Sequence, residues 1–117
     1  MLSFKQTIDF DARKKESTKI REKYPTKIPL IAEKGKNTDL KCADKKKYLI
    51  NEDMTLAQFM VVLRKRLSLT HTDALFVYVG DNTLATASTP IVQLYEKHKD
   101  PDGFLYLTYC SENTFGV

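Results

Sequence analysis

Residues 54–67 constrain this chain more than any other stretch. Thr55 and Gln58 stand three apart, as the two halves of a capping box, and Leu56, Phe59, Met60, Leu63 and Leu67 recur at the spacing of one helical face. Met54 and Phe59 bracket the cap as a hydrophobic staple, and Arg64, Lys65 and Arg66 put cations in the last turn, where the helix dipole favours them. A helix this one-sided must lie on something apolar. Strand-like runs at 27–33 and 48–50 precede it, and others at 74–79 and 104–110 follow it.

Before the first strand, residues 9–24 are rich in Lys, Arg and Glu, with only Phe10, Ile20 and Tyr24 as sparse apolar positions, and they stop at Pro25. This pattern predicts a surface helix resting on a core built elsewhere, preceded by a short turn at 3–7. Thr89 and Pro90 start a further short helix through Gln93, Leu94 and Tyr95. The order is helix, helix, strand, strand, helix, strand, helix, strand. A strand pair, a long amphipathic helix and two more strands make the β-grasp order of ubiquitin-like domains. The expected fold is therefore α+β, a ubiquitin-like β-grasp with a four-stranded mixed sheet, two packing helices and an N-terminal helical extension. Its divisions are the extension at 1–25, the core at 26–110 and a C-terminal tail at 111–117.

With 117 residues, 42% hydrophobic and 29% charged, the chain can bury a core without a metal or disulfide. Cys42 and Cys110 lack the spacing of a redox or zinc pair and read as reduced thiols; His71 and His98 have no ligand-spaced neighbours. No metal and no cofactor is expected. No apolar run of about 18 residues and no signal-peptide pattern occurs, which predicts a cytoplasmic protein. Charge is asymmetric: residues 1–66 hold 17 Lys and Arg against 9 Asp and Glu, while 67–117 hold 2 against 6. A basic face would attract acidic partners; without a recognition motif, nucleic acid is not among those expected.

Lys19-Ile20-Arg21, Tyr24-Pro25, Pro29 and the run Asp44-Lys45-Lys46-Lys47-Tyr48-Leu49 resemble the autophagy-related ubiquitin-like modifiers, in the branch of GABA-receptor-associated protein and the microtubule-associated protein light chains. Gln58-Phe59, Arg64-Lys65-Arg66, Asp73-Ala74-Leu75-Phe76, Gln93-Leu94-Tyr95, Phe104-Leu105-Tyr106 and the pair Phe115-Gly116 extend the resemblance over essentially the whole chain. It implies a substrate rather than an enzyme. A cysteine protease would remove Val117 after Phe115-Gly116, activating and conjugating enzymes would carry Gly116 as a thioester, and the glycine would be joined to phosphatidylethanolamine. The protein would then move from the cytoplasm to the autophagosomal membrane. Phe76 and Tyr78 would retain the aromatic character that the family presents to the protease.

The resemblance also implies a groove for linear motifs of cargo receptors and adaptors, each with an aromatic residue and, three positions on, an aliphatic one, preceded by acids. Strand 47–51 would be the edge that pairs with such a peptide. The aromatic pocket maps onto Glu16, Ile20, Pro29, Leu30, Lys47, Leu49 and Phe104. The aliphatic pocket maps onto Tyr48, Ile50, Met54, Phe59, Val62, Leu63 and Arg66, and Lys27, Lys45 and Lys46 would meet the acids. Ile20, Phe59, Leu63 and Phe104 read equally as core residues, Lys45-Lys46-Lys47 as a solvated loop, and Arg64-Lys65-Arg66 as a helix end. Asn51 stands where the family commonly has proline, and residues 83–87 replace a more proline-rich loop; both bear on selectivity and protease recognition. The alternative function is a non-conjugated trafficking or microtubule-associated adaptor whose basic face takes an acidic partner such as tubulin.

Overall fold

The structure, a computed structural model, describes residues 2–36, 38–80 and 83–111. Helices α1 (Phe4–Thr7) and α2 (Phe10–Lys23) lead into strands β1 (Lys27–Lys34) and β2 (Lys47–Asn51). After them come helix α3 (Leu56–Arg66), strands β3 (Phe76–Val79) and β4 (Thr83–Leu84), helix α4 (Ile91–His98) and strand β5 (Leu105–Cys110).

Local chemistry sets the helix ends. The Thr55 N–H donates to Gln58 Oε1 at 2.9 Å and the Gln58 N–H to Thr55 Oγ1 at 3.3 Å, the capping box expected for α3. Ser3 and Gln6 form a second box that turns the short N-terminal segment into a helix. Asp9 caps α2 through the Ala12 N–H at 2.8 Å. At the far end of α3 the Ser68 N–H reaches the Lys65 carbonyl and the Leu69 N–H the Arg64 carbonyl, a Schellman ending with Ser68 at φ 58°.

The sheet order is β2-β1-β5-β3-β4, with β1 parallel to β5 and the other neighbours antiparallel. It has one strand more than the sequence predicts. The addition, β4, pairs only Thr83 and Leu84 with Val79 and Tyr78, and two residues carry no periodicity to read. On one face Ile28, Leu30, Tyr48, Ile50, Val77, Leu105 and Leu107 pack with Leu56, Phe59 and Leu63 of α3 and Ile91 and Leu94 of α4. On the other, Phe4, Ile31 and Phe104 form a smaller cluster, joined by Ile8, Ile20 and Tyr106. Strand β1 is thus buried on both faces, as suits a strand with a parallel neighbour. Pro29 lies one position before the pairing with β5 begins at Leu30, where its missing N–H breaks no bond of that ladder.

Helix α2 is seated differently from expectation. Phe10 and Tyr24, at the ends of its apolar stripe, remain 45% and 41% exposed, and the residues it buries are Arg13 and Ser17. Arg13 Nε donates to Asp102 Oδ2 at 2.8 Å and Nη1 to the Ile8 carbonyl at 2.6 Å, while Ser17 Oγ donates to the Asp102 carbonyl at 2.5 Å. The hydrogen bond it donates to Asp102 is the main reason the Arg13 guanidinium holds its proton more firmly than usual. Tyr106 also donates to Asp102 Oδ2, at 2.5 Å, and burial followed by that bond pushes its phenol far above the ordinary range. The helix therefore docks on a carboxylate, because Asp102 is fully buried where α2 crosses the start of β5 and must be paired.

Gly103, at φ 90°, makes this crossing possible: a β-carbon there would overlap the Ser17 hydroxyl.

Candidate functional site

Strand β2 lies at the end of the sheet order, so one of its edges faces outward. The Ala32 N–H bonds the Lys46 carbonyl and the Glu52 N–H bonds the Thr26 carbonyl, both at 2.9 Å. With Leu30 opposite Tyr48 and Ile28 opposite Ile50, the alternation of an antiparallel ladder makes these the bonded pairs. It turns the backbone N–H and C=O of Lys47 and Leu49 away from β1, toward any added strand. The side chains follow the same alternation: Lys47, Leu49 and Asn51 are exposed, and Tyr48 and Ile50 are buried in the main core.

Two apolar sites flank this edge. On the α2 side, Lys47 is ion-paired with Glu16, bridging strand to helix, and Ile20 is half-buried against the cluster of Phe4, Ile31 and Phe104. Leu49, on the same face as Lys47, is 43% exposed. Phe104 has no exposed surface and meets Phe4 edge-on at 5.3 Å, so it forms a floor rather than a wall. Pro29 is buried on this face.

On the α3 side, Tyr48 meets Phe59 edge-on at 5.2 Å, and its hydroxyl donates to the Lys45 carbonyl at 2.9 Å. Burial pushes the Tyr48 phenol up, opposed by the nearby Arg66. Phe59 and Leu63 are fully buried, while Met54 and Val62 are only partly buried against the same cluster. Arg66 is exposed and paired with Asp44 at 3.4 Å.

Leu30 does not belong to the aromatic site. Period-two alternation puts it on the opposite face of β1, fully buried in the main core, and Ile31 takes its place beside Phe104. The pairing of Pro29 with Leu49 and Ile31 with Lys47 across β1 and β2 shows which residues share that face. Tyr78 is 3% exposed, and of the two aromatic residues assigned to the protease only Phe76 offers appreciable surface.

Of the lysines expected to meet acids, Lys46 is occupied by the Leu2 carbonyl at 2.7 Å and Glu33 at 3.4 Å. Lys45 is exposed, its ammonium 5.0 Å from the centre of the Tyr48 ring, and Lys27 is half-buried. Phe115, Gly116 and Val117 lie outside the described residues. The sequence reading missed Arg13, Ser17 and Asp102, whose partners are up to 89 positions apart and which no local spacing connects.

The outward edge of β2 thus runs between two partly apolar surfaces, one on the α2 side and one on the α3 side. Among the described residues no group of three or more metal-ligating side chains occurs, and no helix is long and apolar enough to cross a membrane.

Fold and site together define a ubiquitin-like protein with a helical N-terminal extension docked beside an open sheet edge. The family model described as autophagy protein Atg8, ubiquitin-like, matches residues 12–116. Autophagy-related protein 8 of Mycosarcoma maydis is 48% identical over 97% of this chain and 96% of its own length. Autophagy-related protein 8a of Arabidopsis thaliana is 51% identical, over 97% and 93%. The crystal structure of Trypanosoma brucei ATG8 superposes with a TM-score of 0.89 at 41% identity, covering 99% of both chains. This chain belongs to the Atg8 family of ubiquitin-like autophagy proteins, modifiers rather than enzymes.

Proposed function

We propose that this chain is processed after Gly116, joined through that carboxyl to phosphatidylethanolamine, and used to bring motif-bearing cargo receptors and adaptors to the autophagosomal membrane from the cytoplasm. The observation that carries the binding half is the outward edge of β2, with exposed Leu49 and half-buried Ile20 on one side and Met54 and Val62 on the other. An extended peptide adding to this edge would place alternate side chains toward the two sites. Glu16 and Lys47 are paired across the first, so an aromatic side chain entering there would displace or slide beneath that ion pair.

The conjugation half rests on family membership and on the position of Gly116. A protease would hydrolyse the bond to Val117. The new carboxyl would be carried as an enzyme thioester until the ethanolamine amine attacks it, forming an amide and releasing the thiolate. Two acyl chains would then anchor the domain, which a single myristoyl chain does only marginally. In this reading residues 1–25 are an extension that completes the groove, 26–110 the core and 111–117 the reactive tail. Its partners are the processing cysteine protease and the activating and conjugating enzymes.

Two measurements test the proposal. In cells, Gly116→Ala should abolish the membrane-bound, faster-migrating form; its persistence would refute conjugation through this glycine. In solution, a motif peptide binding at about micromolar, roughly −8 kcal/mol, should lose more than tenfold on Ile20→Ala or Leu49→Ala if each anchor is worth about 2 kcal/mol. Unchanged calorimetry would remove these residues from the site. A second reading, an adaptor for acidic partners such as tubulin, is favoured by the exposed Lys14, Lys15, Lys19 and Lys23 on α2. Binding that falls steeply with salt and is indifferent to Gly116 would support it.

A further inference from the structure

On the other flank of α2 from Glu16 and Ile20, a groove of about 650 Å³ separates this helix from the connection between α4 and β5. Its size lies in the range of small-ligand sites, about 300–1,000 Å³. We propose that it is a second binding site, for a phosphorylated serine or threonine in a partner protein.

Three cations line the groove: Lys14 and Arg21 from α2, and Lys99 from the connection. Lys14 and Lys99 form no ion pair among the described residues. Arg21 spends Nη1 on the carbonyls of Pro25 and Lys27, at 3.0 and 2.7 Å, which fixes its plane and leaves its other donors for a ligand. Arg21 and Lys99 each lie 5.4 Å from the centre of the Tyr95 ring, and the Tyr95 hydroxyl is tied to the Gly103 carbonyl at 2.8 Å. The cations thus rest on a fixed aromatic support, which lowers the cost of ordering them around an anion.

The acids present do not cancel this charge. Asp100 is already matched by Lys5 at 2.6 Å, which leaves Glu22, among the described residues lining the groove, as the one unmatched carboxylate against three cations. A phosphate monoester carries a charge of about −1.5 to −2 and three acceptor oxygens, and so answers both the surplus charge and the number of donors better than one carboxylate does. Thr18 adds an exposed hydroxyl at the rim.

The groove lies at the start of β5, whereas the tail leaves from its end. The six residues of β5, roughly 20 Å of strand, lie between Gly103 and Ser111. On the conjugation reading above, attachment is through residues that follow the far end of β5 in the chain, which favours a soluble protein over a lipid head group as the source of the phosphate.

The test uses the unconjugated protein, so it does not depend on lipidation. A 15N-labelled sample is titrated with a phosphoserine pentapeptide, its unphosphorylated twin, its aspartate analogue and inorganic phosphate. The phosphopeptide should shift the amides of Thr18, Lys99 and Gly103 in a saturable manner, at least fivefold more tightly than the other three ligands. The double charge reversal Lys14→Glu with Lys99→Glu, on exposed positions, should weaken it at least tenfold. Leu49→Ala should leave it unchanged while weakening a motif peptide, so that failure of one groove is distinguishable from failure of the other. Equal binding of the unphosphorylated or aspartate peptide, shifts confined to Lys47–Asn51, or no saturation would overturn the proposal.

Discussion

Replacing Gly103 with alanine should act as a wedge between the helical extension and the ubiquitin-like core. At φ 90° the backbone of residue 103 is in the region that L side chains avoid, which costs about 1–2 kcal/mol. The new methyl group would also overlap the Ser17 hydroxyl and press on its β-carbon at 3.0 Å. Relieving that overlap means moving α2 and giving up the bond from Ser17 to the Asp102 carbonyl, worth about 1 kcal/mol, or accepting overpacking of about 1–3 kcal/mol. The expected total is about 3 kcal/mol. For a domain of this size it lowers the melting temperature by roughly 10–15 °C. Denaturant titration of the single variant and of the same change in a Ser17→Gly background gives a double-mutant cycle. With Ser17 trimmed, Gly103→Ala should cost only the backbone share, about 1–2 kcal/mol. Because α2 carries Glu16 and Ile20, motif-peptide affinity should fall with the single change and partly return with the double. Equal cost in both backgrounds would refute the crossing of α2 over Gly103 as described.

Leu63→Ala, at a fully buried position of α3, should cost about 2–5 kcal/mol in urea unfolding. Leu49→Ala, 43% exposed, should change stability by less than about 0.5 kcal/mol, so its effect on peptide binding is read free of unfolding. Ser68→Gly should stabilise by up to about 1 kcal/mol in thermal unfolding, since Ser68 ends α3 in the left-handed conformation at φ 58°. Asp100 supplies a pH dependence. Burial pushes its carboxyl up, but the bond from Lys5, the Asp102 N–H and the charges of Lys5 and Arg13 together hold it below its usual range. A depressed carboxylate stabilises the fold above its unfolded value and loses that contribution as pH falls through the folded value, below about pH 4. Its partner Lys5 is nearly half exposed, so screening limits the effect to under about 1 kcal/mol. Asp100→Asn should remove this share of the acid sensitivity in melts from pH 6 to pH 2.5, and an unchanged profile would assign it to other carboxylates.

Every helix and most strands were legible in the sequence because each is written within a few residues. Thr55 with Gln58 makes a cap wherever it is placed, and the stripe from Leu56 to Leu67 needs only an apolar partner of any kind. The edge position of β2 was expected through resemblance rather than periodicity, since nothing in 47–51 says that one of its sides is unpaired. Which neighbouring residue reaches a given surface was not legible. Leu30 and Ile31 are both apolar and adjacent, and which one faces Phe104 depends on the register of β1 against β2 and β5. Tyr78 and Phe76 alternate to the same face of β3, yet only Phe76 keeps appreciable surface.

The sequence by itself determined all the elements but β4, their order, the β-grasp and the family, because these follow from short-range periodicity, caps and motifs spaced along the chain. Only the tertiary structure decided how the helical extension is held. Arg13 looks like one more cation on a solvated helix until Asp102, 89 residues away, is brought beneath it with its carboxylate buried. A buried charge must find its partner wherever the fold delivers one, and chain distance carries no record of that meeting.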